Sequence, residues 1–146
     1  MDRATDIRGK VLTAIGTLKH KTVTIPIFDE VVNPAIAIPA VDGAVGAYVL
    51  IQDQQEQYSA IQTVCAPRFD LNMTIRVVTK WGAVGKKKVC EDIADDILSK
   101  LRDARGTSLI AGIQHVEMIT ARSIAEYTNS NLAFSKVIIL NFKKNG

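Results

Sequence analysis

Several things are scarce in this sequence. Aromatic residues make up 5% of it, and none is interleaved with basic residues, which argues against a stacking platform for single-stranded nucleic acid. There are two cysteines, Cys65 and Cys90, far apart and in no CxxC pair. That excludes a disulfide framework or a zinc knuckle, and both are expected to be buried free thiols in a product made in a reducing compartment. The two histidines, His20 and His115, lack a second histidine or a cysteine at metal spacing, so no metal site is expected and both read as structural or surface residues. No GxSxG elbow occurs, and the lysines after Gly85 run into Val89 rather than into a Walker Lys-Ser/Thr. Composition and spacing show no catalytic constellation and no cofactor motif. No apolar run reaches the ~18 residues of a membrane span. The longest, PAIAIPAVDGAVGAYVLI, is broken by Pro39, Asp42 and Gly43. The charged start MDRATDIRGKVLTAIG is not a signal peptide, so a soluble intracellular product is expected. The net charge of +3 is too mild to demand a nucleic-acid partner.

What the sequence does contain is organised around residues 69–104. Leu71, Met73, Ile75 and Val77 alternate with Asp70, Asn72, Thr74 and Arg76, the period-2 pattern of a strand with one buried face. Val89, Ile93, Ala94, Ile97 and Leu101 then recur at helical spacing. Between them, TKWGAVGKKK reads as a glycine-broken corner. The pair predicts a strand over 69–80 and an amphipathic helix over 86–104, with Gly106 as its C-cap.

Around this pair the chain reads in order. Ile7, Val11, Ala14, Ile15 and Leu18 predict a helix over 3–20, capped by Asp2 or Thr5 and closed by the basic LKHK. TVTIPIF predicts a strand over 22–28 that lies at an edge or starts a bulge, because Pro26 lacks an amide donor. Residues 47–54, AYVLIQDQ, are apolar on both faces, as in a central strand. Part of the polar QEQYSAIQTVCAPR that follows can extend it. A strand is expected over 112–122 with Val116 and Met118 on one face, then turn chemistry at YTNSN. The last strand, 132–142, carries Leu132, Phe134, Ile138, Leu140 and Phe142 on one face and apolar Val137 and Ile139 on the other. The two last strands predict an antiparallel hairpin, with KKNG as a frayed tail. The expected fold class is α+β: a mostly antiparallel β-sheet with two helices packed on one face, in the order α-β-β-β-α-β-β, in a single domain spanning 1–146.

Two stretches stand out from that scheme. Residues 29–46, DEVVNPAIAIPAVDGAVG, are apolar yet interrupted by Pro34, Pro39, Gly43 and Gly46, and such a long irregular loop is uncommon inside a compact domain. Either it covers its own core or it buries its side chains against a neighbouring subunit; the second reading is favoured. The candidate subunit interface is therefore Val31, Val32, Ile36, Ile38 and Val41 of the loop, with Val137 and Ile139 of the last strand. At the corner, Lys86, Lys87 and Lys88 open a helix, where positive charge opposes the macrodipole. They are candidate contacts for an anion or a nucleic-acid phosphate, although a solubilising corner remains the plainer reading. Glu91, Asp92, Asp95, Asp96 and Asp103 fall opposite the apolar stripe and read as a solvated acidic face.

The whole pattern resembles a known family. The segment Ile25-Pro26-Ile27-Phe28, the proline-bearing loop, AYVLIQDQ, the strand FDLNMTIRVVTKW ending in Trp81-Gly82, and the IADDIL stripe from Ile93 to Leu98 are similar to the tail-completion or tail-terminator proteins of tailed bacteriophages. The likeness runs over about 20–142; the loop at 29–46 is longer than the family pattern. The resemblance implies a virion protein without catalysis or cofactor. It implies a homo-oligomeric ring, hexamer or dodecamer, in the head–tail connector or tail. Its partners are then its own copies, other connector or tail proteins (portal, adaptor, tail tube), and genomic DNA passing non-specifically through the lumen, with no membrane. Lys86, Lys87 and Lys88 would then face the lumen or a charged partner. The alternatives are a small nucleic-acid-binding module or an enzyme of unknown class.

Overall fold

The structure, a computed structural model, describes residues 3–29, 32–33, 35–58, 68–128 and 131–145. In chain order they form α1 (Arg3–Ile15), β1 (Lys19–His20), β2 (Val23–Thr24), β3 (Ile27–Asp29), β4 (Gly46–Tyr58), β5 (Arg68–Trp81), α2 (Lys87–Leu101), β6 (His115–Thr128) and β7 (Asn131–Asn145). Five strands make one sheet in the order β3-β4-β5-β7-β6. All its pairings are antiparallel except β3 with β4. This is the expected α+β fold.

The alternation read in the sequence sets the two faces. Leu71, Met73, Ile75 and Val77 of β5 are fully buried, level with Phe142, Leu140, Ile138 and Lys136 of β7. Ala47, Val49 and Ile51 of β4 extend the same face. Against it pack Ile7, Val11 and Ile15 of α1 and Val89, Cys90, Ile93, Ala94, Ile97 and Leu101 of α2. Both helices therefore cover one face. Arg8 ties α1 to the sheet, pairing with Asp29 of β3 and donating to the Ile51 carbonyl at 2.8 Å.

Several boundaries differ from expectation, each for a local reason. The first helix stops at Ile15, not at residue 20, because Gly16 takes φ +59° and its amide closes onto the Leu12 carbonyl at 3.0 Å. Positive charge at this helix end does come, but from elsewhere: Lys100 of α2 reaches the carbonyls of Ile15 and Thr17, each at 3.3 Å. The LKHK segment instead begins a two-stranded hairpin with β2, turning at Lys21 and Thr22, both with positive φ. As for the expected caps, Thr5 lies within α1 and Asp2 lies outside the described residues. The single strand expected over 22–28 is split by Ile25 and Pro26 into β2 and β3. β3, which starts just after Pro26, lies at the sheet edge.

The second helix ends at Leu101, and Gly106 is not its C-cap. Arg102 fills that position, its amide bonding to Leu98 O. Gly106, at φ +84°, sits in a following turn whose amides at Arg105 and Thr107 are held by Asp103 Oδ1. The strand expected over 112–122 runs from His115 to Thr128 with a bulge between Met118 and Thr120; Val116 is buried and Met118 is exposed. Of the expected YTNSN turn, Tyr127, Thr128 and Asn131 are strand; Asn129 and Ser130 lie outside the described residues. The tail is not frayed before Asn145, because Lys143, Lys144 and Asn145 pair with Asp70, Phe69 and Arg68.

Candidate functional site

The interior offers little chemistry. Cys90 is buried, its thiol donating to the Val77 carbonyl at 3.3 Å, and burial pushes its pKa up to about 12. It is a packed side chain rather than a nucleophile; Cys65 lies outside the described residues. Among the described residues no three His, Cys, Asp or Glu side chains come together as a metal set. No described helix is long and apolar enough to cross a membrane. The small cleft beside Cys90, about 80 Å³, is bounded by Lys87, Glu91, Ser123 and Phe134. A wider groove of about 600 Å³ lies between α1 and Leu109-Ile110-Ala111 and is mostly apolar. Neither assembles a nucleophile with a base.

The histidines have structural settings. His20 Nε2 lies 3.3 Å from Asp42 Oδ2, and Lys21 Nζ lies 3.2 Å from Oδ1. The hydrogen bond to His20, then that to Lys21, holds the Asp42 carboxyl below the usual carboxylate range. His115 packs on Gly106, where an added Cβ would meet its ring at 2.9 Å.

The other face of the sheet is the unusual surface. No described helix packs on it. At its β3–β4 side, Phe28, Tyr48, Leu50 and Val78 form a second apolar cluster, roofed by Val32 and Ile38 of the long loop. Beyond that roof no described element covers the face. Val137 and Ile139 of β7 lie half-buried between Arg76 and Thr74 of β5 on one side and Arg122 and Thr120 of β6 on the other. Arg76 donates to Ser135 Oγ at 3.2 Å and lies 3.6 Å from Glu126. Asn141 donates to Asn72 Oδ1 at 2.7 Å, and Lys143 pairs with Glu117 at 3.2 Å. Two buried polar atoms here, Arg76 Nε and Asn141 Oδ1, have no hydrogen-bond partner among the described residues. Such groups are costly unless something completes them.

The candidate interface residues thus fall in different places. Val137 and Ile139 lie on the open face, Val32 and Ile38 on its roof, and Ile36 is 47% exposed. Val41 is corrected: with Ala44 it enters the main core at 3% exposure, so it is not part of a contact surface. The Asp42-Gly43 turn, both residues at positive φ, folds the loop back to put it there. Val31 lies outside the described residues. The long loop therefore covers its own fold on both faces and leaves Ile36 and Val45 outside. Lys86, Lys87 and Lys88 are exposed at the start of α2, which has no side-chain cap and no acid in its first turn. Lys87 and Lys88 pair with Glu91 and Asp92 one turn on, so the acidic face is partly neutralised.

Sequence reading passed over Arg76, Asn72 and Asn141. Their grouping follows from the register of β5 with β7, which sets the polar side of the 69–80 alternation beside Val137, Ile139 and Asn141.

No protein-family model and no curated protein matches the chain. Among solved structures, a chain of the virion of a native gene transfer agent particle is similar at 12% identity and a TM-score of 0.49, over 91% of this chain and 84% of that one.

Proposed function

We propose that this chain is a structural subunit of a homo-oligomeric ring, a hexamer or dodecamer, in the head–tail connector or tail of a tailed bacteriophage. On this reading it joins portal or adaptor to tail tube, surrounds the DNA channel, and does no catalysis. The observation that carries the reading is the half-covered sheet. A two-layer domain needs one buried sheet face. Here the second face carries half-buried Val137 and Ile139 with no described helix over them, beside two buried polar atoms that lack a partner among the described residues. A neighbouring copy seated on this face and on Ile36 buries the first and completes the second. Head-to-tail repetition of such a contact closes into a ring. The resemblance of the 20–142 pattern to tail-completion proteins points the same way. Lys86, Lys87 and Lys88 are then the corner that meets the lumen or a charged neighbour.

Mass in solution and an image of the particles test this. A ring is expected, and Ile36→Asp and Ile139→Asp are each expected to reduce it to smaller species while the fold persists. A monomeric wild-type chain overturns the proposal. A monomer with steeply salt-dependent DNA affinity would point instead to a nucleic-acid-binding module.

A further inference from the structure

β6 presents a long backbone edge. It closes one side of the sheet and, among the described strands, pairs only with β7. The chain itself covers the first part of its outer edge: the Val116 amide donates to the Gly106 carbonyl at 3.1 Å and the Ser108 amide to the Gln114 carbonyl at 3.4 Å. From Glu117 onward no such backbone bond reaches the outer side among the described residues. Monomeric sheets blunt a long edge with lysine, proline or a covering segment. Residues His115–Thr128 contain neither lysine nor proline, and Tyr127 is 75% exposed.

Backbone direction restricts what can pair there. Val116 points its amide away from β7. The extra residue between Met118 and Thr120 then switches the parity. Beyond it, Ala121, Ser123, Ala125 and Tyr127 present their amide and carbonyl groups outward. An antiparallel second copy must match these outward residues with one another, so its two-fold axis falls on a residue rather than between two. An axis at Arg122 sets arginine on arginine. An axis at Ser123 or Ala125 leaves both charges facing uncharged residues. An axis at Ile124 places Arg122 opposite Glu126 of the other copy, twice, with Ile124 on Ile124 and Tyr127 on Ala121.

We propose that β6 pairs antiparallel with β6 of a second copy about Ile124, joining two five-stranded sheets into one. Charge decides the register, because Arg122 and Glu126 share the open face and opposite charges directly across a ladder are favourable. Arg76, 3.6 Å from Glu126, backs that carboxylate from the sheet side. The contact is two-fold, so it stands apart from the head-to-tail ring reading: it joins two monomers, or two rings back to back.

Charge reversal tests it, read as particle mass by light scattering. Arg122→Glu is expected to weaken the contact roughly tenfold or more, since two attractive pairs become repulsive, and to halve the mass at low protein concentration. The double variant Arg122→Glu/Glu126→Arg is expected to restore it. Ala125→Pro removes an outward amide without touching the bonds to β7, and is expected to halve the mass with little change in Tm. Unchanged mass in Arg122→Glu and Ala125→Pro overturns the proposal, whether the particle is a ring or not; so does a double variant that stays dissociated. A mass that falls from dimer to monomer supports this contact and counts against the ring alone.

Discussion

The two faces of the sheet are built from the same strands by different rules. On the covered face, nearly every inward residue from Ala47 to Phe142 is apolar and closed off by α1 and α2. On the open face, apolar Val137 and Ile139 lie among Arg76, Asn72, Asn141 and Arg122, and the described residues roof only the β3–β4 side. The first face accounts for the stability of the chain. The second is an arrangement of charge, amide and aliphatic side chains, the mixture found at protein–protein contacts more than in a domain core.

The largest expected effect compares the faces directly. Ile75→Ala empties a fully buried site between sheet and helices and should cost about 2–5 kcal/mol in a denaturant melt. Ile139→Ala, one strand away on the open face, should cost the isolated chain less than about 1 kcal/mol, with its main effect on assembled mass. Equal losses in the isolated chain would mean that the open face is a second core, and the distinction would fail.

Next comes the end of the covered face at Trp81. Its indole donates to Thr79 Oγ1 at 3.0 Å and lies under Gly85, where an added Cβ would meet the ring at 2.6 Å. Gly85→Ala should therefore cost about 1–3 kcal/mol by forcing the ring or the corner to shift. The open face, which lacks Trp81, should keep its assembly behaviour. A variant as stable as wild type would show that the corner yields freely.

Much of this was legible in the sequence, and the exceptions have physical causes. The strand expected over 69–80 and the helix expected over 86–104 follow from uninterrupted periodicity and are found as Arg68–Trp81 and Lys87–Leu101, the helix ending three residues early. The apolar stripe extends the first helix past its end because Leu18 continues it; Leu18 is buried, but from the loop beyond Gly16. The lysine that completes α1 lies 85 positions away in sequence, and no local pattern reveals it. The same holds for the open face. Arg76 and Asn72 looked like the solvent side of an ordinary amphipathic strand until their register with Val137 and Asn141 was fixed. The loop at 29–46 was ambiguous because it is divided: Val41 and Ala44 serve one face, Val32 and Ile38 the other.

A smaller effect concerns the latch that closes the lower end of the covered face. Asp42 holds the β1–β2 turn through His20 and Lys21, and those hydrogen bonds depress its pKa in the folded state. A depressed carboxyl contributes stability that is present above its unfolded value, about 3.9, and lost as pH falls through the folded one. Wild type should therefore lose stability below about pH 4 more steeply than Asp42→Asn, and the two should converge in stronger acid. Parallel acid-melting curves would show that the latch does not depend on the charge of Asp42.

The smallest effect lies at Lys86, where the helix layer meets solvent. It occupies the N-cap of α2 with extended backbone, φ −121° and ψ 118°, and makes no side-chain cap bond. Serine at this position can accept a bond from the free amides of the first turn, so Lys86→Ser should raise stability by about 0.5–1 kcal/mol. It also removes a positive charge from a helix end that repels it. If the variant folds better but assembles or engages its charged neighbour less well, lysine is present for contact rather than for folding. That would extend the contrast between the faces to the helix end: the covered layer too gives up stability where it meets another molecule. A variant that gains stability and assembles unchanged would make the lysine corner a solvated surface, and would leave the open face and the β6 edge as the surfaces left to carry contacts.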